Sequence, residues 1–253
     1  MKIIILGAGT SIPSAGYSPA AILLQTGSAN ALLDMGPGTV QRAQLAGCDY
    51  LSLDTLFLTH LHSDHTLDLV TFLQANDSTP CHTRTAPIHL YGCQGTKTWF
   101  DTLMKAYPGI LPAQSPLTIT ENAAARWNWQ GLQVSTALTG HTPASIAYRF
   151  DGPDGTFIYT GDAIFSEELA EFCRNADILV AEGSFPSGWV TQDHLNADSL
   201  GALAQKAGAK HLVVTHRYPP AHQVNLADEI KRAFSGKVTI ARDGTTLTLP
   251  EER

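Results

Sequence analysis

One short stretch constrains the fold of this chain more than any other: residues 59–69, which read THLHSDHTLDL. His60, His62, Asp64 and His65 follow the apolar run LFL there at the spacing H-x-H-x-D-H. Side chains at this spacing cannot all point one way from a regular strand or helix, but they can converge from a loop that leaves a strand. A bound metal ion would offset the desolvation of so many polar groups. We therefore predict a metal-binding loop rather than a set of solvated histidines.

The composition is that of a globular protein and predicts a single domain over residues 1–253, with 43% hydrophobic and 15% charged residues. The apolar run at residues 3–6 is too short for a signal peptide or a membrane span. The net charge of −7 offers no broad basic groove for nucleic acid. No C-x-x-C pair occurs, so we expect free thiols in a reducing compartment, the cytoplasm; the cysteines are Cys48, Cys81, Cys93 and Cys173.

Strand-like and helix-like segments are mixed along both halves of the chain, which predicts sheets with helices outside them. Predicted strands lie within residues 1–9, 20–26, 30–34, 53–60, 86–92, 116–120, 132–141, 145–150, 156–162, 177–183 and 210–216. Predicted helices lie within residues 39–47, 65–77, 95–107, 166–176, 196–209 and 225–234. We expect the remaining histidines (His82, His89, His211 and His222) to be structural or on the surface. Trp127 and Trp129 alternate on a further strand-like segment, and we expect them to be in the core.

The early run LGAGTSIPSAG resembles the start of a dinucleotide-binding turn. However, Ile12 stands where G-x-G-x-x-G needs its third glycine, and Pro13 would interrupt the helix that should follow. We therefore interpret this run as a tight loop.

H-x-H-x-D-H at the end of a strand resembles the signature of the metallo-β-lactamase superfamily. Three further residues match the ligands of that superfamily in order and context: His141 in LTGHTP, Asp162 in FIYTGDA and His216 in LVVTHR. Each ends an apolar strand-like segment, as ligand sites in open α/β sheets do. The resemblance extends from the first strand through His216 and implies an α/β fold, the four-layer αβ/βα sandwich of this superfamily.

The resemblance also implies a dinuclear metal centre. One metal would take His60, His62 and His141, the other would take Asp64, His65 and His216, and Asp162 would bridge both together with a water or hydroxide. Imidazole and carboxylate ligands are compatible with Zn²⁺ and leave Mn²⁺ and Fe open. Two such metals would lower the pKa of the bridging water, and Asp64 could also orient or deprotonate it.

Two features resemble the ribonuclease Z group and its phosphodiesterase relatives. The opening MKIIILGAGTSIPSAG with the later LLDMGPGT is similar to theirs, and Asp34 would hold the histidine loop by hydrogen bonds. Glu182 in VAEGSF and His194 in TQDHLNADSL resemble the paired Glu and His of that group, in which the His protonates the leaving oxygen and the Glu orients it. Two alternatives stay open: Asp34 as an ordinary strand-end aspartate, and His194 as a residue that merely starts the next helix.

The chain departs from the transfer-RNA-processing members of that group. Those members carry a long basic arm that clasps RNA, whereas residues 142–161 here predict only a hairpin with a D-G-P-D-G turn. The Arg-Tyr pair expected beyond the last histidine is compressed to Arg217-Tyr218, so phosphate contact by Arg217 stays open. Phe185 and Trp189 lie between Glu182 and His194, and we expect them either to form an apolar wall for a substrate group or to pack inside the protein.

We therefore predict a cytoplasmic zinc-dependent phosphodiesterase that acts through a metal-bridging hydroxide, with His194 as general acid. Its expected substrate is a small-molecule or nucleotide phosphodiester; nucleic acid is not favoured, no membrane partner is expected, and a homodimer stays open. Because a fold does not fix a function, three alternatives remain. They are a transfer-RNA 3′-processing endonuclease, a lactone, thioester or β-lactam hydrolase, and a non-enzymatic binding protein on the same fold.

Overall fold

The computed structural model describes residues 1–27, 29–111 and 114–250. Within these ranges the strands form two seven-stranded sheets, with the spatial orders β14-β1-β2-β3-β4-β5-β6 and β13-β12-β11-β10-β9-β8-β7. In chain order they are β1 (Lys2–Gly7), β2 (Ala21–Thr26), β3 (Ala29–Leu33), β4 (Thr55–Phe57), β5 (Ile88–Gly92), β6 (Leu117–Glu121), β7 (Arg126–Trp129), β8 (Leu132–Leu138), β9 (Ile146–Gly152), β10 (Gly155–Tyr159), β11 (Ile178–Glu182), β12 (His211–Thr215), β13 (Lys237–Ile240) and β14 (Thr246–Thr248).

Helices cover the outer face of each sheet. They are α1 (Thr39–Leu45), α2 (Ser63–Thr66), α3 (Asp68–Ser78), α4 (Thr96–Ala106), α5 (Glu167–Phe172), α6 (Ala197–Ala207) and α7 (Leu226–Ile230). Side chains of α1, α3 and α4 share one buried cluster with the first sheet. Side chains of α5, α6 and α7 share another with the second sheet. The predicted four-layer αβ/βα sandwich is therefore the observed architecture.

The apolar run of β1 shows why the strands are so hydrophobic. Ile3 and Ile5 point into the cluster between the two sheets, whereas Ile4 and Leu6 point into the cluster beneath the helices. Successive side chains of a strand face opposite ways, so a strand buried on both faces needs apolar residues at every position.

The strand directions bring the functional residues to one end of the sandwich. Strands β10 to β13 are parallel, and β8 runs with them because both β8 and β10 are antiparallel to β9. In the first sheet, β3 to β6 are parallel. The backbone N–H of Ile146, at the start of β9, donates to the carbonyl of Thr59 just beyond β4 at 2.9 Å. The carboxyl end of β4 therefore lies at the same end as those of β8 and β10.

Two short strands, β13 and β14, were not predicted from the sequence. The predicted helix over residues 225–234 is shorter, since only Leu226–Ile230 is α-helical. The predicted strand over residues 53–60 is confined to Thr55–Phe57, because the chain leaves the sheet before it reaches the histidines.

The glycine turn after β1 is a loop, as predicted, and residues 8–20 contain no helix. A Cβ atom on Gly7 would stand 1.8 Å from the carbonyl oxygen of Pro19, so this glycine allows two backbone segments to pack against each other. All four cysteines are free. Trp129 is buried, and the partly buried Trp127 packs against the same inter-sheet core, as predicted. None of the helices in the described ranges is long and apolar enough to span a bilayer.

Candidate metal centre

The H-x-H-x-D-H stretch bridges β4 and the short helix α2. His60 lies in the loop and is buried, and His62 is the exposed residue immediately before α2. Asp64 and His65 lie within α2 and are buried. The change from loop to helix inside the motif lets side chains at irregular spacing turn toward one point, as predicted.

A first group of ligand atoms comes from both sheets. His60, His62, His141 and Asp162 each offer one ligand atom, and these atoms all lie within 4.8 Å of one another. The Nε2 atom of His141 lies 3.2 Å from Nδ1 of His62 and 3.7 Å from Oδ2 of Asp162. His141 follows β8 and Asp162 follows β10, so strand ends of the second sheet complete a set begun by the first.

A second group lies on the other side of Asp162. Asp64, His65 and His216 offer ligand atoms within 4.8 Å of one another. The Nε2 atoms of His65 and His216 are 3.3 Å apart, and Nε2 of His216 is 3.3 Å from Oδ2 of Asp64. Oδ1 of Asp162 lies 3.5 Å from Nε2 of His65. Asp162 thus lies between the two groups.

The donor geometry fits a divalent metal in each group. Two nitrogens bound tetrahedrally to one Zn²⁺, each at about 2.0–2.1 Å, stand about 3.3 Å apart, which is close to the nitrogen–nitrogen separations found here. His60 Nε2 and Asp162 Oδ1 are buried and have no hydrogen-bond partner. Buried polar atoms seldom lack a partner, so these two atoms are suited to binding a metal ion.

The outer nitrogens of the histidines are already occupied. Nδ1 of His65 donates to Oδ2 of Asp34 at 2.7 Å, and Nδ1 of His141 donates to the carbonyl of Asp193 at 2.6 Å. The Thr59 hydroxyl donates to Asp34, so its oxygen can accept from Nδ1 of His60 at 3.0 Å. These bonds leave Nε2 of His60, His65 and His141 facing the cluster, where each could bind a metal.

The buried imidazoles and carboxylates of the cluster shift one another's pKa values. Burial, followed by the neighbouring His65, lowers the pKa of His60 to about 2, so its imidazole is neutral and able to ligate. Burial alone would lower the pKa of His65, but the Asp162 and Asp34 carboxylates outweigh it and raise this pKa to about 10. Burial would raise the pKa of Asp162, but His216, His65 and His60 hold it below its usual range. Asp162 is therefore ionised.

Asp34 lies at the end of β3 and is fully buried. Its carboxylate accepts hydrogen bonds from the Thr59 backbone N–H at 2.8 Å, from His65 at 2.7 Å and from the Tyr159 hydroxyl at 2.8 Å. The structure thus brings Asp34 to the histidine loop, where it contacts neighbours of both ligand groups.

Glu182, at the end of β11, and His194 are brought together beside the cluster. Nδ1 of His194 lies 2.9 Å from Oε2 of Glu182 and 3.9 Å from Oδ2 of Asp162. Burial would lower the pKa of His194, but the hydrogen bond and the charge of Glu182 raise it to about 9. The helix that follows is capped by Asn196, not by His194. His194 beside the ligand cluster is therefore protonated at neutral pH, with its Nδ1 held by Glu182.

An open cavity of about 810 Å³ begins at His194. Phe185, Trp189 and Tyr218 line it, and Phe185 stacks on both of the other rings. Arg217, in contrast, is buried, and its guanidinium donates to the Tyr17 hydroxyl at 2.8 Å. The guanidinium of Arg217 is thus directed toward Tyr17. A contact between Arg217 and a substrate phosphate stays a prediction.

Three residues of the site, Thr59, Tyr159 and Ser184, were not predicted from the sequence, and Tyr218 was named only as part of the Arg217-Tyr218 pair. Thr59 and Tyr159 donate to Asp34. The Ser184 hydroxyl donates to Glu182 and also lies 2.9 Å from the carbonyl oxygen of His216. Tyr218 packs edge-on against His194. Only Thr59 had a usable signal, because it immediately precedes the first histidine of the motif.

The comparisons with known proteins decide the family. The family model described as a beta-lactamase superfamily domain matches residues 29–217. The chain belongs to this superfamily. The predicted superfamily and fold are confirmed by this match and by the solved structures below.

Curated relatives within the superfamily include proteins named Ribonuclease Z. The one from Mycobacterium bovis is 27% identical over 96% of this chain and 96% of its own length. The one from Methanosarcina mazei is 25% identical over 99% of this chain and 98% of its own length.

Solved structures share the fold. The metallo-beta-lactamase fold protein YhfI from Bacillus subtilis superposes with a TM-score of 0.85 at 24% identity, covering 97% of this chain and 98% of that protein. The short form of human tRNase Z gives a TM-score of 0.81 at 19% identity, covering 99% of this chain and 100% of that protein. A diphosphatase of the PhnP family gives a TM-score of 0.76 at 20% identity, covering 99% of this chain and 98% of that protein. At these identities the likeness supports the fold alone.

Proposed function

We propose that this protein is a dinuclear metal-dependent phosphodiesterase in which His194 is the general acid. The observation that carries the proposal is the Glu182–His194 pair, hydrogen-bonded at 2.9 Å beside the two ligand groups. A poor leaving oxygen departs from a phosphodiester faster when it is protonated, and a carboxylate-oriented imidazole can supply that proton. The pairing of ligand groups with a carboxylate-oriented imidazole therefore favours phosphodiester over other hydrolytic chemistry.

The ligand groups would hold two divalent metals, for which zinc is the proposed identity and manganese or iron remain compatible. One metal would take His60, His62 and His141, the other would take Asp64, His65 and His216, and Asp162 would serve both. When bound, such a pair activates a water molecule and stabilises negative charge on the phosphoryl oxygens.

The protein residues have separate roles in this proposal. Glu182 accepts a hydrogen bond from Nδ1 of His194, which orients the ring so that its other nitrogen can protonate the leaving oxygen. Burial would raise the pKa of Asp64, but His216 and His65 hold it below its usual range, so this carboxylate stays ionised. Because its carboxylate is only weakly basic, Asp64 is better suited to bind a metal and orient the attacking water than to remove a proton from that water.

A second candidate function is transfer-RNA 3′ processing. The relatives named Ribonuclease Z support it, because they match this chain over nearly their whole length. The net charge of −7 and the hairpin of β9 and β10, in place of a basic arm, weigh against it. Lactone, thioester or β-lactam hydrolysis would not need the Glu182–His194 pair.

The test combines metal analysis with four substrates: an aryl phosphodiester, a precursor transfer RNA, a lactone and a β-lactam. We expect two metals per chain and turnover of the phosphodiester in added Zn²⁺ or Mn²⁺. Fewer than two metals per chain, together with no diesterase activity, would rule the proposal out. Precursor cleavage faster than diester turnover would favour the second candidate.

His194→Ala tests the general acid. On a diester with an alkoxide leaving group, kcat should fall by about 10²–10⁴-fold, because no other group protonates that oxygen. On a 4-nitrophenyl diester the fall should be smaller, and metal content should not change. His89→Ala is the matched control, since His89 bonds Thr118 on a surface strand. An equal loss on both substrates would contradict the general-acid role.

A further inference from the structure

Three aromatic rings form a continuous wall along the cavity beside His194. The Phe185 ring stacks on Trp189 with a centroid separation of 5.2 Å and an interplanar angle of 3°, and on Tyr218 at 5.1 Å and 14°. The Tyr218 ring meets the His194 and His216 rings edge-on at 5.5 and 5.7 Å. The wall therefore extends from the metal-ligand cluster outward to Trp189.

The loop that carries Trp189 is anchored from several directions. The Ser187 hydroxyl and the Gly188 backbone N–H each donate to the Asp198 carboxylate at 2.8 Å. The Ser187 backbone N–H donates to Glu229 at 2.8 Å, and the Asn196 side chain donates to the Trp189 carbonyl at 2.8 Å. Four hydrogen bonds thus hold the loop in place, although the Trp189 ring that it carries is partly exposed to solvent.

Trp189 is 45% exposed although the loop holds it firmly. Single exposed hydrophobic residues are ordinary on protein surfaces. Here, however, the exposed ring is the outer member of a stack that lines a cavity containing the proposed proton donor. A planar group of a ligand could stack on the outer face of Trp189, at the end of this wall, without any rearrangement of the protein.

We propose that the wall of Phe185, Trp189 and Tyr218 binds a planar aromatic group, such as a nucleobase, on the leaving-group side of a small phosphodiester substrate. This inference rests on the proposed function, because His194 defines the leaving-group side. Stacking on aromatic side chains is tolerant of base identity, so the wall selects the class of leaving group rather than one base.

The charges around the wall favour a small substrate over a polynucleotide. Among the described residues that line the cavity, none is a lysine or arginine, and Asp193 adds negative charge at its rim. The nearby Arg217 is engaged by Tyr17. Binding the successive phosphates of an RNA would need cations along this surface.

The kinetic test uses two diesters with leaving groups of similar acidity and bulk, 2-phenylethyl methyl phosphate and 2-cyclohexylethyl methyl phosphate. The holoenzyme should favour the phenyl compound in kcat/KM by roughly tenfold, mainly through KM, and should release phenylethanol rather than methanol. Trp189→Ala should abolish the preference, and Trp189→Phe should keep part of it. Leu45→Ala, whose side chain is 79% exposed and does not line the cavity, should leave the preference unchanged. Equal use of both diesters by the wild type, or an unchanged preference in Trp189→Ala, would overturn the inference while leaving the diesterase function intact.

A binding test separates this inference from the proposed function. If the holoenzyme hydrolyses neither diester, adenosine monophosphate and ribose 5-phosphate are compared by quenching of tryptophan fluorescence and by calorimetry. Preferential binding of the nucleotide, lost in Trp189→Ala, supports the aromatic subsite even then. Equal affinity for the two ligands refutes it.

Discussion

The carboxylate of Asp34 serves both ligand groups at once. It contacts His65 directly and reaches His60 through the Thr59 hydroxyl, while Tyr159 donates a third side-chain hydrogen bond. Asp34 also has a left-handed backbone conformation, with φ of 57°. Such a conformation is unusual for a residue other than glycine and persists only where its surroundings fix it. The orientation of two ligands therefore depends on one buried acid.

Thr59→Val tests this arrangement. Valine keeps the shape of threonine but cannot connect Asp34 to His60, so metal affinity should fall by about 10–100-fold. The measurement is metal retention against a competing chelator, with circular dichroism to verify the fold. Thr59→Ser keeps the hydroxyl and should bind metal nearly as the wild type does. Equal retention by the two variants would contradict the role of the hydroxyl.

The residues of the ligand groups could be named from the sequence because they match the superfamily motifs in order, each motif following a recognisable apolar segment. Those motifs did not predict Tyr159, whose partner Asp34 is distant in the chain, or Ser184, whose hydrogen bonds to Glu182 and His216 depend on how β11 and β12 pair. Such roles arise from spatial proximity, which no local pattern encodes.

At the scale of secondary-structure elements, the loop between β3 and α1 supports the histidine motif. The backbone N–H of Met35 donates to the carbonyl of His65 at 2.6 Å, and that of Asp68 donates to the carbonyl of Met35 at 2.9 Å. Gly36 lies so close to α2 that a Cβ atom on it would stand 2.2 Å from the carbonyl oxygen of Asp64. The position of α2 is thus set by backbone contact with this loop.

Gly36→Ala should destabilise the protein by about 3 kcal/mol and weaken metal retention, because a backbone segment that carries two ligands must shift. Gly47→Ala is the control: its φ of 83° is strained for alanine, but no atom lies within 4 Å of the added carbon. Gly47→Ala should lower the free energy of unfolding by about 1 kcal/mol and leave metal binding unchanged. Urea denaturation and metal analysis measure both effects, and equal metal loss in the two variants would argue against the support role.

Asp177 joins the start of β10 to the loop before β12. It accepts from the Thr156 backbone N–H at 2.7 Å and from Lys210 at 2.6 Å. Burial alone would raise the pKa of Asp177, but these two donors outweigh it and lower the pKa below its ordinary value of 3.8. The stabilisation from Asp177 is therefore complete above that ordinary value and is lost as the pH falls through the lower, folded-state pKa.

Asp177→Asn should therefore lower the free energy of unfolding at pH 6, and its deficit relative to the wild type should shrink as the pH falls below about 4. The measurement is urea denaturation of metal-stripped protein, down to the lowest pH at which the wild type stays folded. A deficit independent of pH would show that the charge of Asp177 is not responsible.

Buried apolar strands were predictable, whereas the short, half-exposed strands β13 and β14 were not. The strand-like run of β11 is buried at every position, which gives it a strong apolar signal. Both β13 and β14 are half-exposed and only a few residues long, and β14 is held by pairing with β1 at the opposite end of the sequence. A long-range partner of this kind leaves little trace in local composition.

At the scale of the whole molecule, each ligand group joins the two sheets. His60, His62, Asp64 and His65 come from the first sheet, and His141, Asp162 and His216 come from the second. A metal bound by either group therefore links the two halves of the chain. We propose that the chain unfolds as one cooperative domain.

Removal of the metals should lower the melting temperature by about 10 °C. A ligand present at about a thousand times its Kd stabilises by about 4 kcal/mol, and a chain of this size shifts by about 2–4 °C for each kcal/mol. Calorimetry before and after chelation measures the shift and the number of transitions. Two separate transitions in the metal-free protein would contradict the single domain.

The pairing of β14 with β1 has a consequence during synthesis. β1 is synthesised some 240 residues before β14, the strand that covers its outer edge. Until then β1 presents unpaired backbone groups beside an isoleucine-rich run, which is the pattern most prone to intermolecular association. Nascent chains that stall before β14 should consequently be the ones that chaperones bind most persistently.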